Sequence, residues 1–178
     1  MDRDELCFTP ATQLAALIKS KQLSAEDATQ AVLSRIEAIE PQLNSFVTVC
    51  GSEALDAARA ADEAQARGDE LGPLHGVPLG VKDLLNTKGV KTTFCSYAFA
   101  DNVPGSDCVS MARLRAAGAI LVGKTTSPEF GHKPMTEAPL FGKTYNPWNR
   151  DRTPGGSSGG AGAAAAAGLA PLHVGTDA

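Results

Sequence analysis

Several features that would place a chain in a familiar class are missing here. There are 16 Lys+Arg residues against 20 Asp+Glu, a formal net charge of −4, so no basic footprint marks a nucleic-acid or anionic-membrane surface. No CxxC pair occurs. Cys7, Cys50, Cys95 and Cys108 are scattered with no nearby histidine set, which excludes the usual zinc and dithiol patterns, and they read as free thiols of a reducing cytosol. No secretory core opens the sequence, because residues 1–9 are acidic and lack an apolar stretch of signal length. Nor does any run reach the roughly 20 apolar residues a bilayer requires; the longest weakly polar stretch, 161–174, is broken by Gly168 and Pro171. Internal repeats are absent as well. What remains is a cytoplasmic chain with no cofactor or metal, no nucleic acid and no membrane among its expected partners.

With 43% hydrophobic and 20% charged residues in 178, the chain fits one globular domain able to bury a core. Leu14, Leu17 and Ile18 recur at helical spacing after Pro10 and stop near Lys21. Ser24, with Asp27 three positions on, predicts the cap of a second helix carrying Ala28, Val32, Leu33, Ile36 and Ile39 until Pro41 ends it. A strand is expected over 46–50, then a third helix from a Ser52 cap to a stop at Gly68.

The character changes after Leu71. Residues 77–85 are almost wholly apolar, 108–117 read as a helix, and 119–122 as a short strand beyond Gly118. Strand, helix, strand in that order predicts parallel pairing in an α/β domain. A helix over 158–167 and a strand over 172–174 add a further unit. Between them, 124–151 reads as a long irregular stretch rich in proline, the kind of loop that is often functional. The expected division is a helical segment over 1–70 and an α/β portion over 71–178, within a single domain.

Two places carry candidate chemistry. Thr153-Pro154-Gly155-Gly156-Ser157-Ser158-Gly159-Gly160 runs into the alanine-rich 161–167, putting two hydroxyls where helix caps sit and leaving backbone N–H groups open to a bound oxygen. Taken alone, the same composition fits a flexible linker, or a turn that merely holds an anion; it is not the G-x-x-x-x-G-K-[ST] pattern of a nucleotide loop. The second place is Lys82, set between Val77-Pro78-Leu79-Gly80-Val81 and Leu84-Leu85. Burial on both faces lowers a lysine pKa and turns the amine into a usable base near neutrality. Asp83 is a poor neutraliser, since adjacent residues on a strand point to opposite faces. A serine hydroxyl needs such a base. His75, His132 and His173 compete for that role, but the G-x-S-x-G elbow of a Ser-His-Asp hydrolase is missing.

Gly76-Val77-Pro78-Leu79-Gly80-Val81-Lys82-Asp83, Pro154-Gly155-Gly156-Ser157-Ser158-Gly159-Gly160 and Gly175-Thr176-Asp177 together strongly resemble the amidase signature family. Val122-Gly123-Lys124-Thr125, Glu129-Phe130, Phe141-Gly142 and Asn146-Pro147-Trp148 extend the resemblance over nearly the whole chain. It implies an α/β fold in which N-terminal helices precede a mixed, largely parallel sheet covered by helices. It also implies hydrolysis of a small-molecule carboxamide through a Ser-Ser-Lys triad, and is compatible with a homo-oligomer at full length. On this resemblance Lys82 is the catalytic lysine, Ser157 the bridging serine held by a cis peptide bond, and Ser158 a supporting serine. The family also includes the A subunit of a tRNA-dependent amidotransferase. Residues 129–134, Glu-Phe-Gly-His-Lys-Pro, look closer to stand-alone amidases.

The family's nucleophile lies in a Gly-Thr-Asp-x-Gly-Gly-Ser segment, which places it three positions past Ala178; the Ala178 amide would be the first of the oxyanion hole. The sequence therefore reads as the N-terminal part of such a domain. Two outcomes are expected of these 178 residues in isolation: negligible amide hydrolysis, because members of a catalytic unit act together, and aggregation through an uncovered sheet edge. Hydrolysis abolished by Lys82→Ala would contradict the first, and a cooperative thermal transition from a soluble monomer the second.

Overall fold

A computed structural model describes residues 2–177. The chain begins with a short helix, α1 (Arg3–Cys7), that the sequence reading does not anticipate. Its cause is local: the Asp2 carboxylate accepts from the Asp4 and Glu5 amides at 2.7 and 2.9 Å, and Glu5 accepts from the Asp2 amide at 3.2 Å, a reciprocal cap that satisfies amides a short helix leaves open. Helix α2 (Ala11–Lys19) follows Pro10 and buries Leu14 and Ile18.

Helix α3 (Ala25–Leu43) starts as expected, with Ser24 accepting from the Asp27 amide at 2.9 Å. It does not stop at Pro41. The proline sits inside the last turn, and the helix ends when Asn44 takes a left-handed conformation at φ 54°. Strand β1 (Phe46–Val49) leads into α4 (Gly51–Arg67), which Gly68 terminates at φ 83°. Ser52 does not cap α4 as expected but lies within it and bonds the Glu53 carboxylate at 3.0 Å, while Cys50 stands at the cap position with no side-chain bond. In turn Asp62 of α4 accepts from the Ala25 and Glu26 amides at 2.8 and 3.0 Å, so α4 caps α3.

The main sheet joins β1 to β2 (Pro78–Lys82), β3 (Ile120–Thr125) and β6 (Leu172–Val174) in the order β1-β3-β2-β6. β2 is parallel to β3 and β6, whereas β1 runs antiparallel to β3. The parallel connections run through α5 (Val109–Ala116) and α6 (Gly159–Ala166), as the strand-helix-strand reading predicts. The stretch expected to be irregular contributes Lys124 and Thr125 to β3, and holds a two-stranded hairpin of β4 (Glu137–Ala138) and β5 (Gly142–Lys143).

Two cores result, one on each face of the sheet. Phe46, Ile120 and Val122 pack with the N-terminal helices, with Ala164 of α6 and with Ala167 just past its end. Leu79, Val81 and Leu121 pack against Met111 of α5 on the other face. No described helix is long and apolar enough to cross a membrane. Truncating Leu14, 1% exposed, to alanine is expected to cost about 2–5 kcal/mol, the usual range for a buried leucine. Val109→Ala at a 69% exposed site should cost less than ~0.5 kcal/mol. Urea midpoints that shift equally for the two would contradict this packing.

Candidate active site

Lys82 is the last residue of β2 and has no exposed surface. Its ammonium is surrounded by three hydroxyls: Ser157 Oγ at 2.7 Å, Thr176 Oγ1 at 2.7 Å and Ser158 Oγ at 3.1 Å. These come from the turn before α6 and from the residues just past β6, so the site lies at the carboxyl ends of parallel strands, where open α/β sheets place their ligands. The Gly156–Ser157 peptide bond is cis. Burial pulls the Lys82 amine below the ordinary lysine range, against the opposing pull of Cys95 and Asp177.

The hydroxyls are not equivalent. Ser158 donates to the Thr176 carbonyl at 3.0 Å and accepts from the Thr176 amide at 3.1 Å. Its hydrogen is therefore committed, and toward Lys82 it can only accept. Ser158 stands at the N-cap position of α6 but makes no capping bond, which corrects the sequence expectation: the oxygen that would have capped the helix is turned to the lysine and to Thr176. Threonines elsewhere take over the cap, with Thr136 Oγ1 accepting from Gly159 at 3.1 Å and the Thr126 carbonyl from Gly160 at 3.3 Å. With those two amides used internally, the turn has less to offer an anion. A free linker is also inconsistent with buried Gly159 and Gly160.

Ser157 differs from Ser158 in that, among the described residues, Lys82 is its one hydrogen-bond partner. A cleft of about 380 Å³ opens over this turn, lined by Gly155, Gly156, Ser157, Ser158, Thr176 and Asp177. The Ala178 amide, expected to begin an oxyanion hole, lies outside the described residues.

A second buried lysine is one that the sequence reading does not single out. Lys124, also without exposed surface, donates to the Leu85 carbonyl at 2.7 Å, Thr92 Oγ1 at 2.8 Å and Thr87 Oγ1 at 3.1 Å, and lies 3.8 Å from the Asp83 carboxylate. Asp83 thus serves Lys124 and, among the described residues, Lys82 has no carboxylate in hydrogen-bond contact. Burial pushes the Asp83 carboxyl up and pulls Lys124 down to about 8. The signal available for Lys124 is the same as for Lys82, a lysine closing an apolar run. Thr176 enters the sequence reading within the Gly175-Thr176-Asp177 motif, with no role assigned to its hydroxyl.

The competing histidines lie elsewhere. His75 sits 3.0 Å from the Ala61 carbonyl, and His132 bonds the Glu129 carbonyl at 2.5 Å. His173 lies on β6 opposite Gly80, with both ring nitrogens buried and unpartnered, and burial pulls it down to about 4. Among the described residues none of the three hydrogen-bonds to Lys82, Ser157 or Ser158. All four cysteines are free.

A mostly parallel sheet whose carboxyl edge brings a buried amine onto a glycine-serine turn makes this an α/β protein. A family model described as Amidase matches residues 27–178, and the chain belongs to the amidase signature family. A curated protein of Moorella thermoacetica, named as the A subunit of glutamyl-tRNA(Gln) amidotransferase, is 46% identical over 173 residues, covering 97% of this chain and 36% of that protein. Among solved structures, fatty acid amide hydrolase superposes with a TM-score of 0.93 at 28% identity, over 98% of this chain and 31% of that one. Native peptide amidase from Stenotrophomonas maltophilia gives 0.85 at 34% identity, over 91% and 34%. The chain thus spans about a third of the length of the curated relatives it matches.

Lys124 gives the stability a signed pH dependence. Above pH 8 the folded chain has released the Lys124 proton that the unfolded chain still holds, so stability rises with pH by about 1 kcal/mol per unit. Above pH 9 the Cys50 and Cys95 thiols, pushed up to about 11 by burial, ionise first in the unfolded chain and oppose the rise. Urea unfolding should therefore show stability increasing from pH 8 to 9 and then flattening. That increase should shrink in Lys124→Met; an unchanged slope in the variant would contradict the assignment.

Proposed function

We propose that this chain supplies the base and the proton relay for hydrolysis of a carboxamide to acid and ammonia through an acyl-enzyme. The observation that carries the reading is the 2.7 Å contact between the buried Lys82 amine and the otherwise uncommitted Ser157 hydroxyl. A neutral amine has two N–H donors and one lone pair. Ser158 can only accept from it, because its own hydrogen is held by the Thr176 carbonyl. One further donor and the lone pair then face Ser157 and Thr176, and the lone pair is free to receive the Ser157 proton.

In this mechanism Ser157 gives its proton to Lys82 as it takes one from the acyl-accepting serine, which by family pattern lies past Ala178. The serine oxygen attacks the amide carbon, and the carbonyl π electrons move onto its oxygen. As the tetrahedral adduct collapses, the proton returns from Lys82 through Ser157 to the nitrogen, the C–N bond breaks and ammonia leaves. Water repeats the cycle on the ester and releases the acid. Burial keeps the Lys82 pKa low, as a general base working near neutrality requires. Ser158 holds Lys82 and Thr176 in place without passing a proton.

A second reading is favoured by the name of the Moorella relative, the A subunit of glutamyl-tRNA(Gln) amidotransferase. On it, the ammonia would be passed to a misacylated tRNA with the help of a second subunit. The chemistry at Lys82 and Ser157 would be the same, and residues 129–134 support the stand-alone reading.

In the protein expressed from its whole reading frame, Lys82→Ala and Ser157→Ala should each lower kcat by roughly 10³-fold or more, and the double variant little further, since the two act as a unit. Ser158→Ala should lower it less. Additive losses, or a Ser157→Ala protein as active as the unaltered one, would exclude the relay. The stand-alone reading expects simple amides to be hydrolysed by that protein alone; turnover that appears with a partner protein, ATP and aminoacyl-tRNA and is missing without them would favour the second reading.

A further inference from the structure

We infer that Thr136 is a positioning residue of this site: its single hydroxyl clamps the turn that carries Ser157 on both flanks and so sets where the relay hydroxyl stands. The inference deepens the hydrolase reading above and rests on it. Thr136 is buried and immediately precedes β4. Its Oγ1 donates to the Gly155 carbonyl at 2.9 Å and accepts from the Gly159 amide at 3.1 Å. Gly155 lies two residues before Ser157 and Gly159 two residues after it. One oxygen therefore closes a ring over the turn, with Ser157 at its middle.

Ser157 needs such a hold. Among the described residues its hydroxyl bonds to Lys82 alone, and that bond cannot by itself fix the serine, because the amine has two other hydroxyls to turn to. The glycines of the turn impose little conformational preference of their own. The serine must then be presented to the lysine by its backbone, and the backbone is held from behind by Thr136. Relay chemistry is sensitive to this, since a misplacement of about 1 Å at a reacting group costs up to 10²-fold in rate.

Capping of α6 accounts for only half of what Thr136 does. A cap accepts from a helix amide, as Thr136 does from Gly159 across 23 positions of sequence. The bond that Thr136 donates to Gly155 serves no helix; it reaches back over Ser157 to the start of the turn. The clamp is itself anchored. The Thr136 carbonyl accepts from the Thr144 amide at 3.1 Å, and the Thr144 hydroxyl donates to the Asn44 carbonyl at 2.7 Å. With that hydrogen committed, the 2.6 Å contact between Thr126 Oγ1 and Thr144 Oγ1 is donated by Thr126, whose carbonyl accepts from Gly160. Three buried threonines thus tie the turn to the loop between α3 and β1.

The test uses the protein expressed from its whole reading frame, with acetamide, propionamide and benzamide as substrates. Thr136→Val, which keeps the shape and removes the hydroxyl, should lower kcat by about 10²-fold with KM within ~3-fold. Thr136→Ser, which keeps the hydroxyl, should stay within ~3-fold of the unaltered protein in both. In a Ser157→Ala background Thr136→Val should cost less than ~3-fold more, because it acts through that serine. Leu14→Ala, which loosens a core away from the turn, should leave kcat unchanged. Should Thr136→Val fail to fold, Thr136→Ala is read in its place. A valine variant as active as the serine variant, or an equal loss with and without Ser157, would overturn the inference. Nuclear magnetic resonance of protein labelled with ¹³C-lysine gives a readout besides activity: the Lys82 ε-methylene signal, assigned by its loss in Lys82→Ala, should move in Ser157→Ala and in Thr136→Val and stay in place in Thr136→Ser. That pattern in a protein that hydrolyses no amide would support the clamp and defeat the hydrolase reading; a signal that Thr136→Val leaves in place would overturn the clamp with or without turnover.

Discussion

Everything at this site depends on keeping an amine out of water with hydroxyls, and no carboxylate, as its direct partners. An ammonium taken into a protein interior loses several kcal/mol of hydration, and the usual remedy is an ion pair that would fix the charge and raise the pKa. Lys82 has three hydroxyl oxygens within 3.1 Å and, among the described residues, no carboxylate as a hydrogen-bond partner. Hydroxyls satisfy the donors of either protonation state without strongly favouring the charged one. The same three groups tie the end of β2 to the turn before α6 and to the residues past β6, so the contact that tunes the base also closes the sheet edge.

Keeping Lys82 unpaired requires that Asp83 and Lys124 be dealt with elsewhere, and a single irregularity in β3 does this. Leu79 lies opposite Leu121, but Gly80 lies opposite Gly123. Had the register continued unbroken, Lys82 would sit opposite Lys124, placing two ammoniums on one face of strands about 4.8 Å apart. The extra residue in β3 moves Lys124 opposite Val81 and brings Thr125 opposite Lys82. Lys124 then shares the far face with Asp83. The bulge separates two like charges and supplies the misplaced one with a counter-charge.

This arrangement explains what the sequence can and cannot convey. Lys82 is legible because a charge inside an apolar strand-like run is unusual wherever the run is placed, and the glycines flag the turn at Ser157 for the same local reason. The stop at Gly68, the Ser24 cap and strand β6 are local too, and appear where expected. Ser158 is misread because a capping serine and a lysine-binding serine are the same residue in the same place; which one it is depends on a strand 76 positions away. The Lys124–Asp83 pair requires knowing a bulge. Pro41 reads as a breaker by its general effect on helix interiors, whereas it falls in the last turn, where the helix ends two residues on.

Asp83 joins these layers. Its backbone carbonyl and its carboxylate hold the Phe94 loop, its carboxylate also faces Lys124, and its peptide bond to Lys82 transmits both constraints to the base. A lysine side chain has several rotatable bonds and would ordinarily blur the position of its amine by its entropy alone. Here the backbone at residue 83 is fixed from the far face, while the amine is fixed from the near face by Ser157, Ser158 and Thr176. With both ends of the side chain held, the distance from base to relay is set jointly by the end of β2 and by the turn before α6.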